Sequence, residues 1–282
     1  MSVKIIVDST ADLLPRVAER VKIIPLTIRF GDQEFIDGVT INSQKFYEML
    51  VESDQLPTTS QANPAVFEEA FAEAVAAGHE VVCITCSGKL SGTNQSAVIA
   101  AEEFPGKVFV VDSRTIALGS AILTEYALEL VDRGLGAEKI AWKLLQKREK
   151  VRLIAMLDTL EYLKKGGRIS ATVAFAGGLL NIKPVICIED GEIKMLGKAR
   201  GSRQGNNLLV QEIQKAGGVD FKKPLLLGYT GLSDNLLKKY IADSAALWQG
   251  NVEELPVSIV GSVVGTHAGP GAVAVAFFSA EE

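Results

Sequence analysis

The first half of the chain alternates short apolar runs with amphipathic segments, and this alternation restricts the folds open to it. Residues 3–7, 81–85 and 108–111 have the length and composition of buried strands. Asn63-Pro64 opens one of the intervening segments, with a residue suited to a helix N-cap followed by one suited to the first turn. Strands that alternate with helices indicate a parallel sheet covered by helices.

The second half follows a different pattern. Residues 182–188 and 193–196 flank Asp190-Gly191, which predicts a β-hairpin. A hairpin inside an α/β pattern indicates a mixed sheet. We therefore predict a two-domain α/β protein. Residues 1–150 form an N-terminal domain with a mainly parallel sheet and helices on both faces, and residues 151–282 form a C-terminal mixed α/β domain that contains the hairpin.

Composition narrows the function classes. The chain of 282 residues carries 29 Lys and Arg against 34 Asp and Glu, a net charge of −5, which argues against nucleic-acid binding. Hydrophobic residues make up 48% of the chain, which indicates a large core, with or without an internal apolar site. Residues 258–278 are long enough to cross a bilayer, but glycines and a proline interrupt them. We predict strand, glycine-rich loop and strand there, and no transmembrane segment.

Metal, redox and nucleotide sites are not indicated. The chain has two histidines, far apart in sequence, and three cysteines. Cys83 and Cys86 have C-x-x-C spacing, but positions i and i+3 of a strand point to opposite faces, which favours core packing. The odd cysteine count and the absence of a recognisable signal peptide lead us to expect a cytoplasmic protein. No glycine-rich nucleotide motif follows the first strand, so we expect no cofactor.

Three polar segments are candidates for a binding site. Thr59 lies in a hydroxyl-rich loop before the Asn63 helix, and Ser91 follows a strand at the start of a helix. Ser91 is either an ordinary N-cap or a ligand donor at an edge where ligands bind in open α/β sheets. His267 sits in the glycine-rich segment 265–271, as a structural histidine or a site residue. Arg168 either pairs with a carboxylate or phosphate or lies in solvent.

Two other functions fit parts of the pattern. Ser91 and His267 with Asp112 or Asp8 resemble the components of an acyl-ester hydrolase triad, although the G-x-S-x-G motif is absent. A phosphometabolite-binding protein would instead need several basic residues converging on the Ser91 loop.

Taken together, these segments resemble the DegV family of bacterial fatty-acid-binding proteins. Seven motifs follow the family's order along the whole chain, and each is weak alone. They are Val7-Asp8-Ser9-Thr10-Ala11-Asp12-Leu13, Thr58-Thr59-Ser60-Gln61, Leu90-Ser91-Gly92-Thr93, Val111-Asp112-Ser113, Gly167-Arg168-Ile169-Ser170, Lys183-Pro184 and Gly265-Thr266-His267-Ala268-Gly269-Pro270-Gly271.

The resemblance implies a protein without catalytic activity that carries a long-chain fatty acid for a separate fatty acid kinase. The kinase phosphorylates the bound carboxylate, and the acyl phosphate feeds phospholipid synthesis. Carried over by motif, Thr59 and Ser91 hold the carboxylate, His267 joins their hydrogen-bond network, and Arg168 lies near the phosphoryl route or the kinase contact. The family usually has tyrosine after Ser-Gly-Thr, whereas this chain has Asn94, for which we expect altered local packing only. Candidate walls for the acyl tail are residues 173–175, 179–180 and 259–264.

Overall fold

The computed structural model describes residues 2–169 and 181–280. The N-terminal strands are β1 (Val3–Asp8), β2 (Lys22–Ile24), β3 (Thr27–Phe30), β4 (Gln33–Ile36), β5 (Thr58–Ser60), β6 (Glu80–Thr85) and β7 (Val108–Asp112). The helices in this part are α1 (Pro15–Ala18), α2 (Ser43–Glu52), α3 (Pro64–Ala76), α4 (Thr93–Ala101), α5 (Leu118–Asp132) and α6 (Ala137–Lys147).

A short 3₁₀ turn, Arg148–Lys150, leads into the second part. Its strands are β8 (Val151–Met156), β9 (Ile182–Glu189), β10 (Glu192–Arg200), β11 (Leu226–Tyr229), β12 (Val257–Ile259) and β13 (Val273–Phe278). Its helices are α7 (Glu161–Lys165), α8 (Gly201–Lys215), α9 (Asn235–Asp243), α10 (Ala245–Trp248) and α11 (Ser262–Ala268).

The N-terminal sheet has the order β2-β1-β6-β7, and all its strand pairs are parallel. The side chains of successive β1 residues pack into different hydrophobic clusters, because side chains alternate between the two faces of a sheet. Ile5 and Val7 pack with residues of α5 and α6, whereas Ile6 packs with residues of α3 and α4. The predicted parallel sheet with helices on both faces is confirmed.

A second, smaller sheet lies beside it. The extended segment is interrupted at Pro25. As a result β2 joins the parallel sheet, while β3 pairs antiparallel with β4 and β5. The prediction of a loop around Thr59 is wrong, because Thr58–Ser60 is strand β5. The β-branched Thr58 and Thr59 suit an extended backbone, and Thr59 pairs with Ile28 of β3.

The C-terminal sheet has the order β10-β9-β8-β13-β11-β12 and is mixed, as predicted. Its β11–β12 pair is parallel and its other strand pairs are antiparallel. The predicted hairpin is confirmed as β9 and β10, and its turn residues Asp190 and Gly191 have positive φ angles of 50° and 79°. Positive φ at both central residues is the feature of the type I′ turn that Asp-Gly favours.

Residues 258–278 depart from the prediction in their middle. Strands β12 and β13 are present, but the expected glycine-rich loop contains helix α11. Gly265 allows this helix to pack closely, because a β-carbon there would lie 2.6 Å from the Tyr47 hydroxyl and 2.8 Å from the Phe46 ring. Within the described ranges, no helix is long and apolar enough to cross a membrane.

Helix α5 connects the two sheets. Its apolar residues form one cluster with Ile5 and Val7 of β1 and with Leu153, Leu226 and Ala276 of the C-terminal sheet. This cluster therefore includes residues of both sheets. The division near residue 150, where β8 begins, stays a prediction.

Candidate functional site

A cavity of about 420 Å³ lies where the two sheets meet. On one side it is bounded by loops that follow three parallel strands, through Thr10 after β1, Cys86 after β6 and Ile116 after β7. On the other side it faces the C-terminal sheet. The carboxyl edge of a parallel sheet is the usual place for a ligand in open α/β folds, and this volume lies in the range of small-molecule sites.

Three small residues lie side by side in the part of the C-terminal sheet that lines the cavity. Ala155 of β8 pairs with Ala274 of β13, and Ala274 pairs with Gly228 of β11. We call these the small-residue row. All three line the cavity. At Gly228 a β-carbon would lie 2.8 Å from the Leu118 side chain, so the absence of a side chain there lets α5 pack closely.

This row was not predicted from the sequence, although the sequence carries a signal for it. Residues 272–277 read Ala-Val-Ala-Val-Ala-Phe, a strict alternation of small and large side chains. Ala272 and Ala274 line the cavity, whereas Val273, Val275 and Phe277 enter the core on the opposite face of the sheet. Because the side-chain period of a strand is two, small side chains at every second position all lie on one face of the sheet. Such a pattern indicates open space on that face.

Apolar side chains form the other walls. Ile186, Ile188 and Ile193 come from the β9–β10 hairpin, and Val263 and Val264 come from α11. The prediction that residues 259–264 contribute to a wall is supported, since Val260 also lines the cavity. The other candidate walls, residues 173–175 and 179–180, lie outside the described residues.

Thr59 and His267 meet at a polar end of this apolar cavity. Strand β5 holds Thr59 through its pairing with β3, and His267 lies in the last turn of α11. The Thr59 Oγ1 and His267 Nε2 atoms are 2.9 Å apart, within hydrogen-bond distance, although the residues are 208 positions apart in sequence. Two of the predicted site residues are therefore in contact.

The surroundings of His267 keep its imidazole neutral. Burial, and secondarily the charge of Arg168, lower the pKa of His267 to about 4. Its Nδ1 atom is buried and has no hydrogen-bond partner among the described residues. This atom faces Gly166, where a β-carbon would collide with the ring.

Ser91 also lines the cavity, and of its two alternatives the N-cap is not what the structure has. The N-cap of α4 is Gly92, without a side-chain capping bond. The Ser91 hydroxyl lies 2.9 Å from Thr93 Oγ1 and 3.3 Å from the Thr93 amide nitrogen. A hydroxyl can both donate and accept, so Ser91 retains hydrogen-bonding capacity toward the cavity.

Arg168 lines the cavity and connects its two sides, so it is not simply in solvent. Its Nη1 donates to the Gly166 carbonyl at 2.5 Å, and its Nε donates to the Leu90 carbonyl at 3.3 Å. Leu90 directly precedes Ser91 in the chain. The guanidinium thus lies close to the polar end of the cavity.

The structure also locates the two C-x-x-C cysteines and Asn94. Cys83 is buried in the core, whereas Cys86, assigned to the core from sequence, is buried but lines the cavity. No metal-binding group of His, Cys, Asp or Glu occurs in the part of the chain that the structure describes. Asn94 donates to Thr85 Oγ1 at 2.8 Å at the end of β6, a local contact.

The geometry gives little support to a hydrolase triad. Asp8 accepts hydrogen bonds from Thr10 and from the Cys86 amide, and Asp112 accepts from the Gly88 and Arg114 amides. Neither carboxylate has a hydrogen bond to His267. A catalytic histidine needs such a partner to fix its tautomer and stabilise its cation.

Comparison with known proteins agrees with the fold and the cavity. The family model described as uncharacterised protein, DegV family, matches residues 2–280. A DegV domain-containing protein of Deinococcus radiodurans is 36% identical over 282 residues, which cover 98% of each chain.

Two solved structures show the same fold. A DegV family protein from Thermus thermophilus, described by its fatty acid binding, has a TM-score of 0.87 at 31% identity, covering 99% of this chain and 100% of that one. The Streptococcus pneumoniae Fatty Acid Kinase (Fak) B3 protein, loaded with linoleic acid, has a TM-score of 0.84 at 25% identity and covers 99% of each chain. The match over nearly the whole length places this chain in the DegV family.

Proposed function

We propose that this chain binds a long-chain fatty acid, with the hydrocarbon in the apolar cavity and the carboxylate at Thr59 and Ser91. The observation that carries the proposal is the cavity itself, whose walls are mostly apolar and whose hydroxyl groups lie near Arg168 and His267. The similarity of the whole chain to fatty-acid-binding proteins of the same fold supports this assignment.

The tail supplies most of the binding free energy in this proposal. Burial of about fourteen methylenes of hexadecanoate contributes about 11 kcal/mol before the cost of association, at about 0.8 kcal/mol for each CH₂. A charge-assisted hydrogen bond adds only about 1.5–3 kcal/mol. The hydroxyls therefore fix the position of the carboxylate more than they set the affinity.

His267 prepares Thr59 to donate to the carboxylate. A neutral imidazole carries one N–H, and a buried N–H without a partner is more costly than an unpaired acceptor nitrogen. Since Nδ1 has no partner among the described residues, the proton belongs on Nε2, which donates to Thr59 Oγ1. The Thr59 hydroxyl hydrogen is then free to bond a carboxylate oxygen.

The bound carboxylate serves as the substrate of a separate fatty acid kinase. In that reaction a carboxylate oxygen forms a bond to the γ-phosphorus of a nucleoside triphosphate, and the bond to the nucleoside diphosphate breaks. The chain acts as a carrier, and the acyl phosphate supplies phospholipid synthesis. The similarity to a Fak B3 protein and the position of Arg168 near the carboxylate site support this role.

The double variant Thr59→Ala/Ser91→Ala tests the assignment. We expect hexadecanoate binding to weaken by at least tenfold, since each lost bond to a charged group costs about 1.5 kcal/mol or more. We expect binding of hexadecanol, which has the same tail and no carboxylate, to change much less. Kinase-dependent phosphorylation should fall further than affinity, because the carboxylate loses its position.

Unchanged affinity for hexadecanoate together with unchanged phosphorylation would exclude these hydroxyls as the head-group site. A fluorophosphonate probe separates the carrier from a hydrolase, since it labels only an activated serine. We expect no labelling of Ser91.

A further inference from the structure

A second cavity adjoins the apolar one. It has a volume of about 420 Å³, and it shares three lining residues with the apolar cavity: Leu90, Arg168 and Ile193. Lys89, Glu192 and Lys194 add charge to its walls. We call this second space the basic cavity.

The β9–β10 hairpin and the loop after β6 are joined at this place. The Ser87 hydroxyl donates to the Gly191 carbonyl at 2.7 Å, next to the hairpin turn. Lys89 and Glu192 form an ion pair across the same junction at 3.7 Å. These contacts hold Lys89 of the loop and Lys194 of the hairpin on one cavity.

The basic cavity carries more positive than negative charge among its described residues. Glu192 pairs with Lys194 at 3.2 Å as well as with Lys89, so one carboxylate faces two ammonium groups. Arg168 donates hydrogen bonds to the carbonyl oxygens of Leu90 and Gly166, which do not neutralise its charge. Three cations and one anion leave a net charge of about +2.

We infer that the basic cavity binds the phosphoryl group of an acyl phosphate, the product of the proposed function on which this inference rests. Phosphorylation places phosphorus one bond beyond the carboxylate oxygen, outside the site formed by Thr59 and Ser91. Arg168 lines both cavities, and its Nε donates to the carbonyl of Leu90, which lies in sequence between Lys89 and Ser91. The second negative charge of the phosphoryl group then lies near the ammonium groups of Lys89 and Lys194.

This inference also accounts for an apparent conflict. A phosphometabolite site needs basic residues near the Ser91 loop, whereas a fatty-acid site needs a long apolar cavity. The structure contains both features side by side. An acyl phosphate has a hydrocarbon tail and a phosphoryl head, so one ligand class fits both spaces.

The test compares two ligands with the same tail. One is hexadecanoate, and the other is the β-ketophosphonate analogue of its acyl phosphate, in which CH₂ replaces the bridging oxygen. For Lys89→Ala/Lys194→Ala we expect phosphonate affinity to fall about 5- to 10-fold at low salt and hexadecanoate affinity to stay within about twofold. The difference between the affinity losses of the two ligands should shrink at high salt, because exposed charges are screened. Lys198→Ala, an exposed lysine of the same strand that lines neither cavity, should change neither affinity.

Equal loss for both ligands, or no loss for the phosphonate, would overturn the inference and leave the proposed function standing. Failure of the unmodified chain to bind hexadecanoate would overturn the proposed function itself.

Discussion

A larger side chain in the small-residue row should weaken the binding of fatty acids, and the loss of affinity should grow with the length of the acyl chain. Ala274→Leu adds three carbons at a residue that lines the cavity at the centre of the row, between Ala155 and Gly228. If these carbons displace about three methylenes of the ligand, the loss is about 2.4 kcal/mol at about 0.8 kcal/mol for each CH₂. This corresponds to about a 50-fold weaker affinity for hexadecanoate.

Isothermal titration calorimetry with decanoate, tetradecanoate and hexadecanoate measures this effect. The longer acids should lose the most affinity, since decanoate leaves part of the cavity unfilled. Ala65→Leu adds the same carbons on the exposed surface of α3 and is the matched control. A uniform loss for all three acids, with an unchanged melting temperature, would refute the position assigned to the tail.

Other predictions concern the polar groups. Arg168→Ala should spare hexadecanoate binding but slow turnover in a coupled kinase assay, and normal turnover would remove Arg168 from that step. Burial lowers the pKa of His267 to about 4, so its neutral form is favoured on folding. The stability gained is complete above pH 6.5 and lost as pH falls toward 4, and NMR should show no titration of His267 between pH 6 and 8. Burial raises the pKa of Asp12 well above its usual value, although the Gly261 amide donates to it at 2.7 Å. Its protonated form stabilises the fold at low pH, and that contribution is lost as pH rises through the raised pKa. Asp12→Asn should therefore raise the melting temperature at pH 8 and leave it little changed near pH 4, and a lower value at pH 8 would contradict this sign.

The fold was predictable where local chemistry decides the structure. Asn63 accepts a hydrogen bond from the Val66 amide and caps α3 as the Asn-Pro pair predicts. Asp190 and Gly191 turn the hairpin because few residues other than Asp, Asn and Gly tolerate positive φ there. Both signals act over a few residues and need no tertiary context.

The errors occur where tertiary packing decides the outcome. Residues 265–271 look like a flexible loop, yet α11 forms there because Gly265 lets it approach Tyr47 and Phe46. Ser91 has the residue type of an N-cap, but Gly92 takes that position. The side chain of Gln61 fills the space beside Gly92, where a β-carbon would collide with it.

The sequence offers candidate site residues but not the geometry that brings them together. The motifs that carry the family resemblance contain Thr59 and His267, whose contact depends on how β5 and α11 pack. The small-residue row combines residues from three strands that are distant in sequence. Only the pairing of β8, β13 and β11 brings them together.

Native mass spectrometry of the chain purified from bacterial cells tests the central claim most directly, because it reports what the cavity holds without a chosen ligand. We expect one added mass for each chain, equal to that of a long-chain fatty acid and released by organic solvent. A bound polar metabolite in its place, or an empty chain that takes up no hexadecanoate on incubation, would contradict it.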